Sequence, residues 1–170
     1  MAVREIKCLP TEVLRKKARK INDFGADFQT LVDDMVETLR SAPGVGLAAP
    51  QVNVSQRVIV VEYGDENDEE APPKLFVVAN TEIIHTSEET VLGTEGCLSI
   101  PGFAGEVTRW SEITLKGQNR RGKPVKIKAK GWLARIFQHE IDHLDGTLFI
   151  DRAEKVWKIE EEPDKPVPVD

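Results

Sequence analysis

Residues 125–144 read VKIKAKGWLARIFQHEIDHL, and the hydrophobic period changes midway through them. Val125, Ile127 and Ala129 alternate with lysines, the pattern of a strand with one face in a core and one in water. Beyond Gly131, the residues Leu133, Phe137, Ile141 and Leu144 recur at steps of four and three, which predicts a helix anchored on one face. Upstream, Ile113-Thr-Leu115 alternates in the same way, with Asn119–Gly122 as a turn, so the two runs predict an antiparallel hairpin. Strands of period two leading into a helix give the class α+β.

That helix carries His139-Glu140-Ile141-Asp142-His143. At ~100° per residue, positions four apart lie within ~40° of each other, so both imidazoles can face one metal ion. Trp132 and Ile136 continue the same stripe toward the N-terminus, and Glu140 projects beside it, placed to act on a water at the ion. The plainer explanation is a satisfied polar patch. The chain has only 3 histidines and two stand in this spacing, whereas His85 in TEIIH reads as an ordinary strand-end residue.

A catalytic zinc-like ion takes three protein ligands and keeps one position open. Cys97, in TEGCLSIPG, is the first candidate, because Gly93 and Gly96 allow close backbone approach and Pro101-Gly102 terminates the segment. Cys8, in KCLP, has no such context and reads as a small buried hydrophobe. Thiolate plus imidazole suits Zn, Fe(II), Ni or Co. The loop Gly44–Gln51 (GVGLAAPQ) follows a helix, not a strand, and lacks a third glycine, so a dinucleotide-binding reading fails. Its glycines permit a tight loop, and Gln51 offers a side-chain amide donor that would polarise a carbonyl beside a metal.

Around these segments the chain is that of an ordinary globular protein. It has 170 residues, 40% hydrophobic and 31% charged, which excludes a disordered chain and suits one domain with its own core. With 23 basic and 29 acidic residues the net charge is −6, which argues against specific DNA binding. No run is long enough to cross a bilayer and no signal pattern opens the chain, so a cytoplasmic protein with no membrane partner and free thiols is expected. Residues 11–20 are helix-compatible, with Thr11 as N-cap, and from Asp27 the stripe Phe28, Leu31, Val32, Met35, Val36 and Leu39 predicts a stronger helix ending near Pro43. Arg57–Glu62 predicts a strand and Leu75–Ile84 a second strand or a bent strand pair, with an acidic loop over Gly64–Glu70 between the two segments. The expected organisation is one catalytic domain over residues 1–159, with a mixed, mostly antiparallel sheet around the HExxH helix and an N-terminal helix. Residues 160–170 form an acidic, Pro-rich tail.

GVGLAAPQ at Gly44–Gln51, EGCLS at Glu95–Ser99 and HEIDH at His139–His143, in this order, resemble the three motifs of the peptide deformylase family. The likeness runs from the N-terminal helix to Thr147–Ile150, which reads as a strand. It implies an α+β, cytoplasmic enzyme of bacteria or organelles that removes formyl from the N-terminal methionine of new polypeptides. It also implies one divalent ion per chain, Fe(II) foremost, on Cys97, His139 and His143, with Glu140 as general acid/base. Gln51 and the backbone N–H of Leu98 would hold the formyl oxygen. Gly44, Val45, Gly46, Trp132 and Ile136 would line the methionine pocket, and Glu95 would pair with Arg109 behind the ligands. Formyl-methionyl nascent chains are the implied partners, with transient ribosome contact, although the C-terminus lacks the long basic helix of some members.

Two other classes of function remain to be weighed. An HExxH metallopeptidase of another kind would take a downstream Glu or His as third ligand, and no histidine follows His143. A binding protein with a structural metal would close all four positions, for which Cys8 is the spare soft ligand.

Overall fold

A computed structural model of the chain describes residues 2–64 and 70–159. Its elements are α1 (Ala26–Ser41), β1 (Gly46–Ala48), β2 (Val58–Tyr63), β3 (Lys74–Thr86), β4 (Thr90–Cys97), β5 (Ile100–Trp110), β6 (Glu112–Gln118), β7 (Pro124–Lys130), α2 (Gly131–Leu144), α3 (Phe149–Arg152) and β8 (Lys155–Lys158). The class is α+β, as expected, but the strands divide between two sheets. One has the order β1-β2-β3-β6-β7 and the other β4-β5-β8. Every ladder in both is antiparallel.

Strand β2 explains why the sequence is apolar without alternation there. Val58 and Val60 join a cluster with Leu31, Val32 and Met35 of α1, while Ile59 and Val61 join Phe137 and Ile141 of α2. Both faces of the strand are covered, so both must be apolar. The strand or strand pair expected over Leu75–Ile84 is the single strand β3, whose register breaks at Ala79/Glu82 and Ile83/His85. The hairpin β6–β7 forms with Ile113 opposite Ala129 and Leu115 opposite Ile127. Its turn places Gly122 at φ 82°, a conformation that strains other residues.

Three local expectations are corrected. Residues 11–20 are not a helix; only Glu12–Arg15 form a 3-10 turn, and the Thr11 hydroxyl donates to Cys8 O (2.6 Å) in place of capping. Tertiary bonds take the remaining backbone: Ala18 N–H donates to Leu144 O (2.7 Å) and Arg19 N–H to Ser55 O (3.0 Å). Thr147–Ile150 is not a strand; it leads into α3, whose Asp151 accepts from the Leu148 N–H (2.8 Å). Pro101-Gly102 does not end its segment but lies inside β5, beyond a hairpin in which Cys97 pairs with Ile100. Most of the acidic loop (65–69) and the tail (160–170) lie outside the described residues.

Candidate metal centre

Helix α2 packs against strands of both sheets and is buried from Ala134 to Leu144. Its His139 and His143 meet Cys97 at the β4–β5 hairpin. The three ligand atoms lie within 4.8 Å of one another, and Cys97 Sγ is 3.4 Å from His143 Nε2. Among the described residues this is the grouping of His, Cys, Asp and Glu able to hold an ion, and Cys8 is not in it. A buried thiol and two buried imidazoles form the donor set that a borderline-soft divalent ion prefers, so the residues fit a metal.

The other predicted residues surround this centre. Gln51 sits on a 3-10 turn (Ala49–Val52), fully buried, with its Oε1 accepting from the Ala48 N–H (3.0 Å). That bond aims Nε2 at Ser99 Oγ (3.2 Å) and Cys97 Sγ (3.8 Å). Glu140 is fully buried and passes over Gly46, where an added Cβ would lie 2.5 Å from its Oε2. Only glycine fits there, a reason for the motif that spacing did not reveal. Leu98 is one of the two residues of the turn between Cys97 and Ile100. The N-terminal segment straps both loops, Lys7 N–H donating to Gln51 O (2.7 Å) and Leu9 N–H to Ser99 O (3.0 Å). Val45 and Trp132 are half-buried against the cluster that contains Ile136, while Ile136 itself is wholly buried behind them. A cavity of about 150 Å³ opens beside Gly93, Trp132 and Arg135. A larger hollow of about 660 Å³, beside Phe76, Lys128 and Leu133, contains none of the predicted site residues.

Behind Cys97, His139 and His143 lies a buried ionic network. His139 Nδ1 is 3.0 Å from Glu95 Oε1, and Arg109 spans both Glu95 oxygens at 2.9 Å each. Burial alone would raise the Glu95 carboxyl, yet the hydrogen bonds from Arg109 and His139 hold it well below the usual carboxylate range. Burial likewise opposes the Arg109 charge, and the Glu95 and Asp142 carboxylates more than restore it. The predicted Glu95–Arg109 pair is thus part of a larger cluster. Arg135 donates to Glu95 Oε2 (2.6 Å), Arg109 to Asp142 Oδ2 (2.6 Å), and Arg152 to Asp142 (2.6 and 3.0 Å). Arg135, Asp142, Arg152 and Ser99 were not anticipated. The signal for two of them was present: Arg135, His139 and Asp142 stand at i, i+4 and i+7, on one face of the helix.

The family model for polypeptide deformylase matches residues 3–158. The chain belongs to the polypeptide deformylase family. A peptide deformylase of Thermodesulfovibrio yellowstonii is 50% identical over 152 residues, 89% of this chain and 90% of its own. The structure of the Thermotoga maritima enzyme superposes with a TM-score of 0.84 at 39% identity, covering 91% of this chain and 100% of that one. A Met-Ala-Ser-bound deformylase of Acinetobacter baumannii gives 0.81 at 36% identity, covering 89% and 98%. The family is metal-dependent, and its members are hydrolases that remove formyl from the N-terminal methionine of nascent polypeptides. The metallopeptidase alternative is not favoured, and among the described residues no helix is long and apolar enough to cross a membrane.

Proposed function

We propose that this chain deformylates nascent peptides with one divalent ion held by Cys97, His139 and His143, Fe(II) being the cellular ion. The observation that carries this reading is the convergence of one thiol and two imidazoles within 4.8 Å, with Glu140 on the same helix. An ion so held supplies a lowered water pKa and an electrostatic pull on a carbonyl oxygen. Glu140 takes the proton of the attacking water and returns it to the departing amine, so that formate and a free N-terminus leave. Gln51 Nε2 and the Leu98 N–H donate to the formyl oxygen as it gains charge. Its Oε1 bond to the Ala48 N–H fixes which end of the Gln51 amide faces the reaction.

Val45 and Trp132, backed by Ile136 and flanked by Gly44 and Gly46, form the wall for the methionine side chain. The Met-Ala-Ser complex of the Acinetobacter relative supports a methionine-led peptide. A confined site favours formyl over acetyl, since an added methyl must find room. Residues 1–159 act as one catalytic domain, supported by the family match over 3–158, with 160–170 as an appended tail. The bacterial relatives support a cytoplasmic setting, and substrates that are nascent chains support transient ribosome contact, testable by co-sedimentation.

The test is metal analysis of protein purified without oxygen. Cys97→Ala should lose the ion and Cys8→Ala should keep about one equivalent, the number for a single three-ligand site. A full complement in the Cys97 variant overturns the ligand set. Air should inactivate the iron form faster than the nickel form, because iron beside a thiolate promotes its oxidation; equal lifetimes would remove Fe(II).

A further inference from the structure

Arg135 stands four residues before His139 on α2 and is almost wholly buried. Its guanidinium meets three acceptors: Glu95 Oε2 at 2.6 Å, Val107 O on β5 at 2.9 Å and Val91 O on β4 at 2.7 Å. We infer that Arg135 is a positioning residue for the metal centre, holding Glu95 in the one orientation that presents His139 Nε2 to the ion.

Arg109 alone does not fix the orientation of Glu95. Arg109 grips Glu95 as a planar fork, Nε on one oxygen and Nη2 on the other. A planar pair is rigid internally but still swings as a unit about the two side-chain stems. Arg135 blocks that swing, because it fixes Oε2 from outside the fork and is itself tied to the backbone of two strands. With Oε2 fixed, Oε1 is fixed too, and Oε1 is the oxygen 3.0 Å from His139 Nδ1. A carboxylate facing two guanidiniums is ionised and can only accept, so Nδ1 carries the hydrogen and Nε2 keeps the lone pair. Such supporting bonds set ring rotation and tautomer at metal sites. Since Arg135 and His139 share one helix face, the clamp is referenced to the ligand it serves.

Gly93 supports this independently. A Cβ there would lie 2.8 Å from Arg135 Cζ and 2.9 Å from Nη2. An arginine tip usually moves aside, but this one is held by three hydrogen bonds and must break some of them to yield. Gly93 therefore makes the room in which Arg135 sits, and Gly93→Ala displaces the guanidinium without removing its charge.

The inference rests on the proposed ligand set, so the test measures both. Co(II)-loaded wild type, His139→Ala, Arg135→Met, Arg135→Lys, Gly93→Ala and Arg120→Met are compared by visible absorption and by the rate of Co(II) loss to excess EDTA. Arg120 is the control, an arginine with its own partners Gln29 and Asp33. Arg135→Met and Gly93→Ala should shift the ligand-field bands and release Co(II) about 10-fold faster or more, the usual consequence of losing a supporting bond. Arg135→Lys should fall between, since an ammonium reaches Glu95 but cannot span three acceptors. Arg120→Met should match wild type in both readouts, since this half-exposed arginine has no bond to the centre, and shifted bands in variants that stay folded separate misplacement of His139 from a loss of stability. If Arg135→Met fails to fold, Gly93→Ala and Arg135→Lys decide. Wild-type bands and release rates in the folded Arg135 and Gly93 variants overturn the inference alone. An unchanged spectrum in His139→Ala overturns the ligand set and the inference with it.

Discussion

Toward the five-stranded sheet, α2 presents Ala134, Phe137, Ile141 and Leu144, which merge into one apolar cluster with Ile59, Val61 and Leu115. Toward the three-stranded sheet it presents Arg135, Gln138, His139 and Asp142, each with a directional partner. Gln138 alone bonds both backbone groups of Trp110, accepting at 3.1 Å and donating at 2.9 Å. Apolar burial has no preferred direction and tolerates small rotations of a helix. Hydrogen-bonded ion pairs do not. The apolar flank therefore supplies most of the energy that holds α2 in place, and the polar flank fixes its rotation, which decides where two imidazoles point.

Substitutions that damage one flank at a time break this comparison. The largest loss of stability is expected from Phe137→Ala, because Phe137 is fully buried and packs edge-on against Phe76 at 5.3 Å. Truncation should cost about 3–5 kcal/mol by denaturant unfolding, while the folded fraction keeps its ion. Glu95→Gln attacks the other flank. It leaves Arg135 buried without a counter-charge and Arg109 with Asp142 alone, for a cost of about 3 kcal/mol, the lower end for a broken buried pair, and it should also weaken metal retention. Equal retention in the two variants would erase the distinction between the flanks.

A pH series sharpens the same contrast. The folded-state pKa of Glu95 is depressed, so its contribution is complete above the ordinary carboxylate value of about 4.3 and is lost as pH falls below it. Acid unfolding curves of wild type and Glu95→Gln should converge toward low pH. Curves that stay parallel would contradict the assignment. The smallest effect is expected at a solvent-screened pair, Arg40–Glu62 at 2.8 Å, where Arg40→Ala should leave the denaturant midpoint almost unchanged.

The same division governs what the sequence discloses. Helix α1 and strands β2, β6 and β7 were legible, because apolar burial leaves a period of 3.6 or 2, or an unbroken run. The second sheet was not. β4 and β5 carry Gly93, Gly96, Pro101, Gly102 and Gly105, and their inner face includes Glu95 and Arg109, so no apolar alternation survives. The residues brought together at the centre were legible through three separate motifs, each with its own spacing. Arg135 and Asp142 were not singled out, since a charged residue on a helix ordinarily faces water. Residues 11–20 looked helical only because their neighbours were unknown; Ala18 and Arg19 donate their backbone N–H groups to Leu144 and Ser55.

In the proposed site Cys97, His139 and His143 hold the ion while Glu140, beside them, moves the proton. Glu140→Gln keeps the shape and volume over Gly46 but cannot accept a proton. Bound metal and formate release from a formyl-Met tripeptide, measured on the same anaerobic preparation, separate these two roles. Glu140→Gln should bind about one equivalent of ion with turnover lowered by ~10²-fold or more, the usual contribution of a positioned general base. Release near the wild-type rate with metal bound would contradict the role of Glu140 in proton transfer, and loss of the ion would make Glu140 a ligand.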